Sequence, residues 1–238
     1  MKEVDMENLP KHIAIILDGN RRWARREGMD IIDGHKEGAA NIRRIAKYAN
    51  KLGIKYMTVY AFSTENWNRS KPEVAALMQI LGFYLKDLLE EFDNDNVKIN
   101  FIGKIEGLAK NLQVQMHKLM DKTSKNTGLV LNIAFNYGGR DDITTATKKI
   151  ANKVLNGEIT VDDINENLFT DNLYTAGQPD PDLVIRTSGE QRISNFLLWQ
   201  IAYSEFLFVS KYWPEFSGDD LLDAINEYQH RSRRFGGK

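Results

Sequence analysis

The chain has 238 residues and no cysteine. This excludes disulfides, thiolate nucleophiles, cysteine-type zinc sites and iron–sulfur clusters together, and it fits a reducing compartment. Histidine is also scarce: there are four, widely scattered, so nothing indicates a histidine-based metal site. No apolar run reaches the roughly 18–20 residues a membrane span needs. The stretch Met1–Lys11 is acidic and polar, without the basic-then-apolar order of a signal peptide. The expected location is therefore cytoplasmic, at most peripheral to the inner face of a membrane. Net charge is nearly absent as well. Lys plus Arg is 32 against 33 for Asp plus Glu, a formal −1, which disfavours a globally basic nucleic-acid binder. There is no Walker-type lysine loop and no G-x-S-x-G elbow, and Gly138-Gly139 lacks the dinucleotide-binding spacing.

What is present is a globular composition, 42% hydrophobic and 27% charged. The expectation is one α/β domain spanning 1–238. Strand-like runs at His12–Leu17, Ile54–Phe62, Val97–Ile102, Leu129–Phe135, Asp182–Arg186 and Phe206–Val209 alternate with helical spacing. The helical segments are Gly34–Leu52, Pro72 to about Phe92, Ile105–Lys125, Arg140–Leu155 and Asp219–Arg231, with Gly53 as a C-cap candidate. This alternation predicts a central, mostly parallel six-stranded sheet flanked by helices. In such folds ligands bind outside the carboxyl ends of the strands. The polar signatures fall there: Asp18-Gly19-Asn20-Arg21-Arg22, Ser63 through Arg69, Asn136 through Arg140, and Thr187 through Arg192.

Arg21, Arg22, Arg25 and Arg26 follow Asp18 closely. If that segment is helical, Arg21/Arg25 and Arg22/Arg26 are like-charge neighbours that cost ~0.2–0.5 kcal/mol each, a cost an anion would offset. Gly19 permits close backbone approach, and Asn20 is a cap candidate. Asp18 is either a salt-bridge partner or a ligand for Mg²⁺ on a diphosphate, an ion that needs few protein carboxylates. Arg186, Arg192 and Ser194 surround a Gly turn and can converge on a second anion, with Arg69 and the Arg231–Arg234 tail as further candidates. Val74–Leu85 is apolar apart from Gln79 and Gly82. It predicts a helix buried nearly all round, either as core or as the wall of an apolar tunnel, with something approaching closely at Gly82. Phosphate sites beside an extended apolar cavity describe a prenyl diphosphate.

These motifs, taken together and in order, are similar to those of the cis-prenyltransferase family, and most of all to its bacterial branch that makes undecaprenyl diphosphate. The stretches carrying the resemblance are His12–Ala24, Gly34-His35, Tyr60–Arg69, Asn136–Arg140, Asp182–Glu190 and Arg192 through Glu205. The resemblance implies a Mg²⁺-dependent homodimeric transferase that adds isopentenyl diphosphate to an allylic prenyl diphosphate primer such as farnesyl diphosphate, each new double bond being cis. It implies that Asp18 is catalytic and binds the metal, with Glu205 as the second metal position. Gly19, Asn20, Arg21, Arg22, Trp23 and His35 match positions around the allylic substrate. Ser63, Thr64, Glu65, Trp67 and Arg69 match the following motif, and Arg186, Arg192, Ile193 and Ser194 match the isopentenyl diphosphate contacts. Asn66 matches a residue described as proton acceptor; a neutral amide is a very poor base at pH 7, so orientation or relay is the physical expectation. The tail Arg234-Phe235-Gly236 resembles an end that reaches the partner subunit's site.

One position departs from the pattern. Ile31 stands where the family often carries a basic diphosphate contact, which leaves Arg25 or Arg26 as substitutes. Two competing readings remain in view. One is a non-catalytic partner subunit, against which stands the joint presence of Asp18, Asn66, Arg186, Arg192 and Glu205. The other is an RNA-binding module on Arg21–Arg26, against which stands the near-neutral charge.

Overall fold

A computed structural model describes residues 4–231 (backbone alone at 86–91 and 93). The first strand β1 (His12–Ile16) leads through a short helix α1 (Asn20–Arg26) into the long α2 (Ile31–Leu52). Next come β2 (Tyr56–Ser63), α3 (Lys71–Asn94), β3 (Lys98–Ile102), α4 (Lys110–Thr123), β4 (Val130–Tyr137) and α5 (Gly139–Leu155). The chain closes with α6 (Glu166–Thr170), β5 (Leu183–Arg186), β6 (Glu205–Phe208) and α7 (Gly218–Gln229). The six strands form one sheet in the order β3-β4-β2-β1-β5-β6, and every pairing is parallel, where the sequence predicted mostly parallel.

β1 is central and buried along its whole length, as an apolar run covered on both faces must be. Its side chains alternate between two cores. Ile13 and Ile15 join Met57, Val59, Phe101 and Leu131 in the larger, beneath α2, α3, α4 and α7. Ala14 and Ile16 join Tyr60, Tyr137, Phe196 and Leu197 in the smaller. Gly53 caps α2 in the left-handed conformation (φ 90°), as its spacing predicted.

Two sequence expectations change. Ile105–Lys125 is not one helix: a 3-10 turn at Ile105–Gly107 precedes α4. Val74–Leu85 is helical but not buried all round: most of its residues are half-buried and Phe83 is 63% exposed. The reason is architectural. α3 covers one edge of the sheet and leaves a cavity beneath it, so its apolar surface is divided between that cavity and an outer groove. At Gly82 an added methyl would meet only the end of the Leu112 side chain, at 3.4 Å, so no close backbone approach explains this glycine.

Candidate active site

The loops after β1, β2 and β5 meet above the carboxyl ends of the strands. Asp18 sits two residues beyond β1. Its Oδ1 accepts from Arg22 at 3.1 Å and its Oδ2 from Arg186 at 2.9 Å. The backbone here is fixed by Thr187, whose hydroxyl accepts from the Asp18 N–H (3.0 Å), and the Asp18 carbonyl accepts from Thr187 Oγ1 (2.7 Å) and from the Trp213 N–H (2.9 Å). Gly19 takes φ 108°, and a methyl there would stand 2.7 Å from the Tyr212 ring, so the turn requires glycine.

Gly19, not Asn20, is the N-cap of α1. Asn20 lies inside the helix with its amide against Gly38, and Gly34 and Gly38, one turn apart on α2, make the groove that seats it. The expected Arg–Arg repulsion along α1 is relieved within the protein. Arg22 also pairs with Glu190 (2.8 Å), Arg26 pairs with Glu215, and Arg21 lies 3.7 Å from Glu73. Arg26 is thereby committed to Glu215 and away from Asp18.

Arg186 is 4% exposed although charged. Beyond Asp18 it donates to Ser194 Oγ (2.9 Å) and to the Arg192 carbonyl, and its Nε has no partner. Arg192 pairs with Glu190, whose carboxyl the Arg192 hydrogen bond and charge hold below the usual range. The loop that brings these groups together is unusual backbone: Ser188, Ser194, Asn195 and Leu197 all have positive φ. Such conformations cost on the order of 1–3 kcal/mol each and persist where the surroundings impose them.

From the β2–α3 connection, Ser63 caps a 3-10 turn at Thr64–Asn68, and Asn66 Oδ1 accepts the Ser63 N–H (3.0 Å). One lone pair of the Asn66 oxygen is thus engaged in fixing the turn, and the same amide carries an NH₂ donor. Thr64 donates to Glu65 (3.1 Å), which also accepts from Asn195 (2.7 Å). Burial pushes the Glu65 pKa up, but the Asn195, Ser63 and Thr64 hydrogen bonds outweigh it and hold the carboxylate low. Trp67 donates to Asn136 (2.7 Å) and packs edge-on against Phe62, which anchors the turn.

Two adjoining spaces result. A polar cleft of about 280 Å³ is walled by Asp18, Asn66, Arg69, Arg186, Arg192 and Ser194 among others. A narrower cavity of about 110 Å³ runs between α2, α3 and the sheet, lined by Ala39, Ile42, Phe62, Ile80, Leu81 and Phe135 among others. Leu17, Asn20, His35, Ala61 and Leu77 line both. Ile193 joins Ser63, Glu65, Asn66, Arg140, Ser194 and Asn195 in a shallower recess that opens from the cleft. Three residues that line the cleft carry buried polar atoms without a hydrogen-bond partner: Asn20 Oδ1, His35 Nε2 and Arg186 Nε. Native interiors rarely tolerate such groups, so their concentration marks a place built for a polar ligand. His35 stays neutral: burial, then the Arg69 charge, push its pKa down to about 4 against the pull of Glu73.

Some expected residues do not converge. Trp23 is half-buried on α1 and Ile31 half-buried at the start of α2; neither lines the cleft. Glu205 opens β6, level with Leu183 and Ile13, at the amino end of the strands. That is roughly 15 Å along the sheet from Asp18, with two strand spacings besides. Its carboxylate accepts from Arg231 (3.0 Å), so within one chain Asp18 and Glu205 cannot share a metal ion. The sequence motif is continuous from Arg192 to Glu205, but the chain returns to the bottom of the sheet before β6 begins. Arg234-Phe235-Gly236 lies outside the described residues. Sequence reasoning missed Glu73, which gathers Arg69 (3.0 Å), Arg21 and His35; the Arg69/Glu73 spacing of four at a helix start was the available signal.

This arrangement has relatives. Residues 16–236 match the family described as "Putative undecaprenyl diphosphate synthase". An isoprenyl transferase of Clostridium perfringens is 50% identical over 97% of this chain and 91% of its own. A ditrans,polycis-undecaprenyl-diphosphate synthase, (2E,6E)-farnesyl-diphosphate specific, of Micrococcus luteus is 49% identical over 98% of this chain and 94% of its own. Among solved structures, lavandulyl diphosphate synthase from Lavandula x intermedia, in complex with dimethylallyl diphosphate, superposes with a TM-score of 0.93 at 42% identity, covering 96% of this chain and 98% of the other. With likeness of this extent in both sequence and backbone, the chain belongs to the undecaprenyl diphosphate synthase family of prenyltransferases.

Proposed function

We propose that this protein is a single-domain cis-prenyltransferase that condenses isopentenyl diphosphate with an allylic primer, farnesyl diphosphate, and extends it to undecaprenyl diphosphate, the lipid-carrier precursor for cell-wall synthesis. The observation that carries this reading is the direct junction of an arginine-lined cleft with an apolar cavity. A diphosphate headgroup fits the first and a prenyl chain the second.

Magnesium fits the donor set. Among the described residues no three His, Cys, Asp or Glu side chains gather, which argues against an all-protein metal cage. Mg²⁺ is commonly held by one or two carboxylates with substrate phosphate oxygens completing the shell, and Asp18 is the carboxylate at the cleft. When bound, the ion neutralises charge growing on the departing diphosphate. Glu205 has a metal role only if a second subunit supplies it.

The chain's own groups do the rest. Arg22 and Arg186 leave Asp18 for phosphate oxygens, and the Nε of Arg186 and Nε2 of His35, buried without a hydrogen-bond partner on residues that line the cleft, add polar groups for the ligand. Arg192 and Ser194 hold the second diphosphate, with Arg69 and Asn66 between the two substrates, so that the reacting carbons are oriented before the allylic bond ionises. Asn66 donates rather than accepts, so the proton lost in each cycle passes to the departing diphosphate while Asn66 orients it. The lengthening chain withdraws into the cavity under α3.

The assembly is a homodimer through the open edge of β6, where Phe208 is 36% and Tyr203 78% exposed. No helix among the described residues is long and apolar enough to cross a membrane, so a water-insoluble product is delivered to the inner face of a bilayer from outside it. Incubation with labelled isopentenyl diphosphate, farnesyl diphosphate and Mg²⁺, followed by product sizing, tests the reading: stepwise elongation is expected. No elongation from any allylic primer would overturn it.

A further inference from the structure

Glu73, in the first turn of α3, is not among the residues the resemblance assigns to the reaction. Its side chain is only 13% exposed, and groups from three separate elements surround it: Arg69 at 3.0 Å, Arg21 of α1 at 3.7 Å and His35 of α2 at 3.6 Å. Only the Arg69 contact is a hydrogen bond. The other two stand just beyond that range, and His35 Nε2 has no hydrogen-bond partner although it is buried. A carboxylate placed purely to brace α3 would be expected to engage these donors fully. Glu73 instead supplies charge at slightly longer range to Arg21 and His35, and two of the three groups around it, Arg69 and His35, are residues that line the cleft.

We propose that Glu73 is a built-in counter-anion for the allylic half of the cleft. It balances Arg21 and Arg69 while the site is free, and it competes with the incoming diphosphate for them. Resting on the prenyltransferase reading above, this makes Glu73 a positioning residue that sets how tightly diphosphate is held. The cost of an unbalanced arginine pair in the free protein is lowered, and so is the affinity for an anionic headgroup, which keeps release of the spent diphosphate fast.

The test is titration calorimetry with inorganic pyrophosphate and magnesium chloride. Glu73→Gln keeps the shape and removes the charge. It should bind pyrophosphate about tenfold more tightly than the parent, with a steeper loss of affinity as salt is raised, and in turnover kcat and KM should both fall as release of the spent diphosphate slows. Glu73→Asp keeps the charge but withdraws it by one methylene, and should bind a few-fold more tightly. Should Glu73→Gln fail to fold, Glu73→Asp decides alone. Unchanged or weaker pyrophosphate binding in the folded variant overturns the proposal, since a bracing carboxylate gives that result. Failure of the parent protein to bind pyrophosphate or to elongate any primer overturns instead the prenyltransferase reading on which the proposal rests.

Discussion

The polar cleft and the apolar cavity are neighbours built by opposite means. The cleft is made of loops: its arginines are held by carboxylates from distant parts of the chain, over backbone in left-handed conformations at Ser188, Ser194 and Asn195. The cavity is made of regular elements, with Gly38, Ala39 and Ile42 of α2 facing Leu77, Ile80 and Leu81 of α3 over one face of the sheet. Charge chemistry tolerates little change in position, since each donor must meet a defined acceptor. A hydrocarbon container only needs volume and a dry lining. The two regions should therefore respond to mutation in different currencies, the cleft in rate and the cavity in product.

The largest separation should come from Asp18→Ala. Turnover should fall by about 10³-fold, with circular dichroism unchanged, because Thr187 and Trp213 hold the turn through the Asp18 backbone, while loss of the partner of buried Arg186 should lower Tm. Near-parental turnover would place the metal elsewhere. Next is Ala39→Phe, which puts a ring into a cavity of about 110 Å³. Products should shorten on chromatographic sizing while pyrophosphate affinity stays put. Products of parental length would show that the chain runs by another route.

A smaller effect contrasts two buried histidines. Burial holds both His35, at the cleft, and His12, under the far end of the sheet, at about 4. A pKa depressed below its unfolded value of about 6.5 gives stability that is complete above that pH and is lost as pH falls toward 4. Each histidine should cost up to about 3 kcal/mol across that window, seen as a falling Tm. Added pyrophosphate should raise the pKa of His35 and leave His12 alone, by NMR of the imidazole protons; equal movement of both would mean the anion acts globally. The smallest expected effect is Trp67→Phe, which removes the hydrogen bond to Asn136 and should cost about 1 kcal/mol in urea unfolding, with product length unchanged.

The repeating layers were legible from the sequence because strand and helix periods are local, and every strand was found within a few residues of its place. The strand-end rule likewise located Asp18, Arg69, Arg186 and Arg192 in one cleft, since a parallel sheet delivers all its carboxyl ends to one side. What depends on returning chain was not legible. Glu205 follows the cleft motif in sequence but starts β6 at the opposite end, because a parallel strand must begin where its neighbour begins. Glu73 was hidden because its partners come from three elements whose docking is tertiary. The apolar stretch Val74–Leu85 read as a helix buried nearly all round, whether as core or as tunnel wall, because composition cannot distinguish a side chain touching other side chains from one facing a cavity or an outer groove.

Leu17, Asn20, His35, Ala61 and Leu77 face both spaces at once. On the function proposed above, this shared doorway limits how such a protein can diversify: a replacement at any of the five would perturb headgroup and tail together, so new products would be most freely reached by changes deeper in the cavity, leaving the threshold as inherited.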